Sequence, residues 1–215
     1  MNFLNKYGIS IKNNELLEIS LTHSSYTNEK GGSNYERLEF LGDAVLETVI
    51  SEYLYLNTDF DEGELSKLRA SYVCESALSH YAKEIGYIPL IRVGLGQSND
   101  VNDTIIADIF ESIIGAVYLS NGLEDAKKLI YSVIVPYIKR KETFFWDYKS
   151  KLQELVQTTR KSVDYVVISE TGPSHDKVFG IEVRIDNMIY GKGFGKSKKE
   201  AEQNAAKDAY YKQAK

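Results

Sequence analysis

The sequence predicts two domains of different class: an all-helical body over residues 1–140 and an α-β-β-β-α unit of the α+β class over 147–215, joined by a short linker at 141–146. Three observations predict this. Before the linker, apolar residues recur at helical spacing and no segment reads convincingly as a strand. After Trp146 the pattern changes to short runs rich in β-branched and aromatic residues. Charge divides at the same place: residues 1–146 carry 13 Lys+Arg against 21 Asp+Glu, a net of −8, and residues 147–215 carry 13 against 10, a net of +3. The overall −5 thus conceals an acidic body and a modestly basic tail.

The elements follow in order. Asn13–Ser20 reads as a short helix, followed by Leu21–Tyr26 without helical pattern. His23 lies there between hydroxyl residues, a setting that favours a hydrogen-bonding structural role over that of ligand or base. Gly31-Gly32-Ser33 forms a loop, and Ser33 or Asn34 is a suitable N-cap for a long helix reaching Leu56. Helices are expected at Glu64–Cys74 and Glu75–Ile85, the second ended by Gly86. Tyr87–Asp103, with Pro89, Gly94 and Gly96, reads as a short helix or turn plus a loop. Thr104–Ser120 is apolar almost all round, as a buried helix is, and Leu123–Lys139 is amphipathic. In the tail, Tyr148–Thr158 is helical, Asp164–Ser169, Val178–Asp186 and Met188–Lys192 are strands, and Lys198–Tyr211 is the last helix. Asp186-Asn187 suits a tight hairpin turn. The connections are too short for parallel crossovers, so an antiparallel sheet with both helices on one face is expected.

Composition is that of an ordinary globular protein. Cys74 is the single cysteine, which excludes an intrachain disulfide and points to a reducing compartment. The first residues lack the pattern of a signal peptide, and no apolar run approaches a membrane span. A cytoplasmic protein without a membrane partner is the expectation.

Two segments carry chemistry. In the first long helix Glu36, Glu39, Asp43 and Glu47 fall within a stripe roughly 80° wide, opposite Leu38, Leu41, Val45 and Val49. A solvated acidic face is the plain alternative. Against it stand Phe40, an aromatic beside the acids on the polar side, and the presence of Arg37 as the one basic residue of that stretch. Carboxylates are the ligands that hard divalent cations prefer. In the buried second segment Asp108 and Glu111 share a face at a spacing of three, and unpaired buried carboxylates cost several kcal/mol. They need a proton, a salt bridge to Arg37 or Arg69, or a metal site completed by the first acidic helix. In the tail, Ser197-Lys198-Lys199-Glu200 fits a capping box. With Lys196 it crowds positive charge around free N–H groups at a helix N-terminus, a place for phosphate.

Glu36-Arg37-Leu38-Glu39-Phe40-Leu41-Gly42-Asp43 resembles the signature of the ribonuclease III family of double-stranded-RNA endonucleases. Ala107-Asp108-Ile109-Phe110-Glu111-Ser112-Ile113-Ile114-Gly115-Ala116 is similar to its second acidic segment. Leu152-Gln153-Glu154, Gly172-Pro173-Ser174-His175 and Ser197–Glu202 resemble its double-stranded-RNA-binding domain. The matches span nearly the whole chain in the family's order.

The resemblance implies a homodimer with two active sites, each cutting one strand to leave 5′-phosphate and 3′-hydroxyl ends. Ribosomal and other structured RNA precursors are the implied substrates. Glu39, Asp43, Asp108 and Glu111 would form the Mg²⁺ cluster, with Mn²⁺ able to substitute. Glu39, Asp108 and Glu111 would be its ligands and Asp43 and Glu111 the catalytic pair, Asp43 orienting or activating the attacking water. Glu36 and Glu64 would line the RNA valley, and Phe40 would insert into the other subunit. Gln153 and Glu154 would touch one minor groove and the loop ending at His175 the next. Lys196, Lys198 and Lys199 would hold the phosphates between, over roughly 16 base pairs. The loop Gly94–Asn99 is short and lacks the family's frequent Lys-Gly-Glu run, so site preference is expected to differ. Two rivals stand beside this reading: an RNA-binding protein whose helical part is only a dimerisation scaffold, and a metal-dependent hydrolase of another phosphate substrate.

Overall fold

Asn13 opens the first helix as its type allows, its side-chain oxygen accepting from the N–H groups of Glu15 and Leu16. In the computed structural model, which describes residues 3–97, 101–142, 144, 148–157, 161–173 and 177–213, seven α-helices follow in the first unit. These are α1 (Asn14–Ser20), α2 (Ser24–Lys30), α3 (Glu36–Asn57), α4 (Glu62–Val73), α5 (Glu75–Ile85), α6 (Asp103–Asn121) and α7 (Leu123–Arg140). Helix α6 is the axis of the unit. Ile105, Ile106, Ile109, Phe110, Ile113, Ile114 and Val117 are all buried along it, against the α3 face built by Leu46, Val49, Ile50 and Leu54.

Two local readings change, and a third, the short turn with a loop after α5, holds. Helix α2 occupies a stretch where no helical pattern was expected. Its residues are almost all polar, so apolar periodicity carries no signal, and its N-cap is His23, whose Nδ1 accepts from the Ser25 N–H. The N-cap of α3 is Tyr35 rather than Ser33 or Asn34, although the Asn34 side chain still accepts from the Glu36 N–H. The segment between α5 and α6 contains two single 3-10 turns, Ile88–Leu90 and Leu95–Gln97. It is fastened near its middle by the backbone pair of Arg92 with Leu21 and His23.

The chain divides by its contacts into Met1–Phe145 and Trp146–Lys215. After α7, Lys141 takes a left-handed φ of 56° and the Glu142 N–H returns to the Tyr137 carbonyl. Phe144 packs on His80, Tyr81 and Tyr137. These three residues of the expected linker are therefore fastened to the helical unit.

The second unit runs α8 (Tyr148–Gln157), β1 (Val163–Thr171), β2 (Val178–Ile185), β3 (Met188–Gly195) and α9 (Lys198–Gln213). The sheet is antiparallel in the order β1-β2-β3. Asp186 and Asn187 both have positive φ, 49° and 65°, as a two-residue type I′ hairpin turn requires. Ile181, Val183 and Ile185 meet Leu152 and Val156 of α8 and the alanines of α9 in a separate core. Gly191, Gly193 and Gly195 form the inward stripe of β3. A Cβ at Gly193 would sit 2.1 Å from the Ala205 nitrogen, so glycine is what lets α9 lie directly on the strand. The small residues Ala201, Ala205, Ala206 and Ala209 supply the other half of that fit.

Candidate functional site

The two acidic segments meet where α3 crosses α6, and glycine makes the meeting possible. A Cβ on Gly42 would lie 1.8 Å from the Glu111 carbonyl oxygen, and one on Gly115 would lie 2.3 Å from the Leu38 carbonyl oxygen. The helices therefore touch backbone to backbone, with Gly42 next to Asp43 in sequence and the Glu111 carbonyl directly opposite it. Glu39 and Asp43 enter from α3, Asp108 and Glu111 from α6.

Their electrostatics are those of one group. Burial, followed by the charges of Asp43, Glu39, Asp108 and Glu47, pushes the Glu111 carboxyl up to about 8. Burial and the neighbouring Asp108, Glu36 and Asp43 also raise Glu39. Asp108 is raised by burial, and the Tyr35 phenol, donating to its Oδ2 at 3.0 Å, opposes that rise. Among the described residues none of the four acids forms an ion pair with a lysine or arginine. The expected alternative of a bridge to Arg69 is not made, since Arg69 donates to Ser51 Oγ instead. Asp108 and Glu111 are half-buried rather than enclosed.

The donor chemistry fits a hard divalent cation: carboxylate oxygens from two helices, partly desolvated and without a lysine or arginine partner among the described residues. The side chains stand within electrostatic reach of one another but not at coordination distance. Among the described residues, no three His, Cys, Asp or Glu side chains are gathered tightly enough to hold an ion.

The remaining expected residues are distributed as follows. Glu36 is exposed on the first turn of α3 and contributes to the rise at Glu39. Glu64 lies at the start of α4, where its carboxylate accepts from the Asp61 N–H in a reciprocal capping box. Its placement thus has a sufficient local reason, and it is not among the charges that raise Glu39 or Glu111. Phe40 is 81 % exposed. Beside it an apolar groove of about 750 Å³ is lined by Leu16, Ile19, Leu38, Leu41 and Leu119, with Glu36 and Arg37 at its rim.

In the second unit Gln153 and Glu154 lie exposed on α8, and Lys196, Lys198 and Lys199 are exposed around the start of α9. The capping box there is displaced by one residue. Ser197 Oγ accepts from the Glu200 N–H, but the Glu200 carboxylate takes the N–H of Lys196 instead of that of Ser197. The Lys198 ammonium lies 5.8 Å from the centre of the Phe179 ring. His175 lies outside the described residues. Sequence reasoning did not single out Tyr35. Its position directly before the acidic helix was visible, but its bond to a residue 73 positions away was not.

Comparison with known proteins returns the same two parts. Residues 13–138 match the family model described as Ribonuclease-III-like, and 148–212 match that of the double-stranded RNA binding motif. The chain is 45% identical over 214 residues to a ribonuclease 3 of Streptococcus pneumoniae, covering 95% of this chain and 92% of that one. It is 43% identical over 211 residues to a ribonuclease 3 of Listeria innocua, covering 94% and 92%. The solved nuclease domain of a ribonuclease III from Campylobacter jejuni, whose title refers to flexibility in a region involved in dimer formation, superposes with a TM-score of 0.57 at 36% identity. That match covers 62% of this chain and 94% of the domain.

Proposed function

The chain belongs to the ribonuclease III family and is a double-stranded-RNA endonuclease, and we propose that it cuts by Mg²⁺-dependent hydrolysis at the carboxylates where α3 crosses α6. The observation that carries this reading is the meeting of Glu39, Asp43, Asp108 and Glu111 at a glycine-to-backbone contact, none of them ion-paired with a lysine or arginine among the described residues. A scaffold that served only to dimerise would have no use for such a group.

In this reading Glu39, Asp108 and Glu111 are the ligands, and Mn²⁺ can replace Mg²⁺. The bound cation supplies charge relief on the phosphate and leaving oxygens and acidifies the attacking water. The chain's residues do the rest. Asp43, on the exposed side of α3, orients that water and takes its proton. The half-buried position of Glu111 among the other acids makes it the residue that most needs a cation to ionise near neutral pH. The products carry 5′-phosphate and 3′-hydroxyl ends.

Binding of duplex RNA rests on the second unit. Gln153 and Glu154 face one minor groove and the lysines around the start of α9 hold the intervening phosphates, with His175 assigned to the next groove by resemblance alone. Glu36 and Glu64 line the approach of the RNA. The chain acts as a homodimer in which the exposed Phe40 of each copy inserts into the apolar groove of the other; the exposure of Phe40 beside that groove supports this. Among the described residues no helix is long and apolar enough to cross a membrane. The working setting is the cytoplasm, on ribosomal and other structured RNA precursors.

The test is incubation of the full chain with a long RNA duplex in Mg²⁺ or in EDTA, followed by end-group analysis. Fragments with 5′-phosphates that appear only with Mg²⁺ are expected. A duplex bound but uncut in Mg²⁺ would overturn the catalytic reading in favour of binding alone.

A further inference from the structure

We propose that Tyr35 is a positioning residue of the active site, fixing the Asp108 carboxylate in the orientation in which it serves as a ligand. The inference rests on the metal reading above and adds to it a residue that lies outside the ligand set.

The geometry is specific. The Tyr35 phenol donates to Asp108 Oδ2 at 3.0 Å across the gap between the start of α3 and the first turns of α6. The tyrosine itself has little freedom. It is buried to 5 % exposure. Its backbone N–H donates to the Thr22 carbonyl at 2.9 Å, and its own carbonyl accepts from the N–H groups of Leu38 and Glu39. The His23 ring lies 5.6 Å from its ring centre. That imidazole is in turn tied by its Nδ1 to the Ser25 N–H at 3.1 Å. A rigid chain thus runs from α2 through His23 and Tyr35 to one oxygen of Asp108.

The chemistry follows from the torsion involved. The terminal χ2 of an aspartate is a broad, roughly two-fold rotor, so a half-buried carboxylate without a partner samples many orientations. A phenolic donor on Oδ2 selects one of them and leaves Oδ1 and the second lone pair of Oδ2 for a cation. Groups that hold metal ligands by hydrogen bonds change metal affinity or activity by about 10–100-fold when removed. Filling the core does not require the hydroxyl, since phenylalanine occupies the same volume. The hydroxyl is therefore explained by its acceptor.

Tyr35→Phe separates the two roles, and the readout is Mn²⁺ binding by calorimetry on the full chain without RNA. A loss of affinity of about 10–100-fold is expected, together with cleavage that recovers when Mg²⁺ is raised, so that the metal requirement moves and the maximal rate does not. The companion variants are Asp108→Ala alone, which removes the acceptor, and combined with Tyr35→Phe. With the carboxylate gone, removal of the hydroxyl should cost nothing further. Unchanged Mn²⁺ affinity in Tyr35→Phe overturns the inference, as does an equal loss in the Asp108→Ala background, which would mean action through packing. If the unaltered chain itself binds no Mn²⁺, the metal reading falls and the inference with it. If it binds and Tyr35→Phe binds equally, only the inference falls.

Discussion

Glu111 in the helical unit and Glu182 in the sheet of the RNA-binding unit are both shielded carboxylates, and their fates are opposite. Glu182 is only 5 % exposed, yet Lys192 at 2.8 Å and Arg184 at 3.1 Å hold its carboxyl below the ordinary range. Glu111 lies among four other acids, and burial pushes its carboxyl up to about 8. The chain supplies Glu182 with its own cations on the same sheet. Among the described residues it supplies Glu111 with none. A carboxylate that completes its charge balance internally needs nothing further, whereas one left open keeps its proton or, in the proposed reading, takes a cation from outside.

The sharpest way to break the comparison is Glu111→Gln. Cleavage of duplex RNA should fall by well over about a hundredfold, since removing even a group outside the ligand set can cost that much at a metal site. Duplex binding by gel shift should stay unchanged, because the second unit is untouched.

Next come the glycine contacts that both units depend on. Gly42→Ala puts a carbon 1.8 Å from a backbone oxygen that cannot move aside. It should lower the stability of the helical unit by about 1–3 kcal/mol or more and abolish cleavage. Gly193→Ala does the same between β3 and α9. In calorimetric melts each should shift the transition of its own unit and leave the other in place, with duplex binding lost in the second variant and retained in the first.

The pH dependence of the two units sharpens the contrast further. For metal-free protein, the raised Glu111 carboxyl means that its contribution is fully present below the ordinary carboxyl value. It is lost as pH climbs toward and through about 8. Melting of the helical unit in EDTA should drop across that interval, and Glu111→Gln should flatten the drop. The depressed Glu182 carboxyl works in the other direction. Its contribution is present above the ordinary carboxyl value and lost as pH falls below it, so Glu182→Gln should make the second unit less sensitive to acid.

The smallest effect concerns single lysines. Lys199→Ala should weaken duplex binding about equally for all sequences and reduce the slope of log affinity against log salt by about one.

The sequence was most legible where one residue type had one physical use. Gly86 ends α5 with a φ of 82°, and Asp186-Asn187 turns the hairpin. The apolar character of Thr104–Ser120 announced the central helix, and the acids at 39, 43, 108 and 111 were visible by spacing. Less legible were features that depend on what lies opposite. Helix α2 has no apolar period and is defined by an imidazole cap. The third strand, expected to end at Lys192, continues to Gly195, where the alanines of α9 lie against Gly193 and Gly195. The capping box expected at Ser197 and Glu200 is displaced because the Lys196 N–H competes for the same carboxylate.

The span between Tyr35 and Asp108 also bears on the order of folding. Their bond joins residues 73 apart in the chain, so forming it closes a long loop whose entropy must be lost before any contact repays it. The β2–β3 hairpin closes over two turn residues, an event on a timescale of about 1–10 μs. The hairpin needs only neighbouring residues, whereas the acids of α3 and α6 meet only after the chain between them has closed on itself.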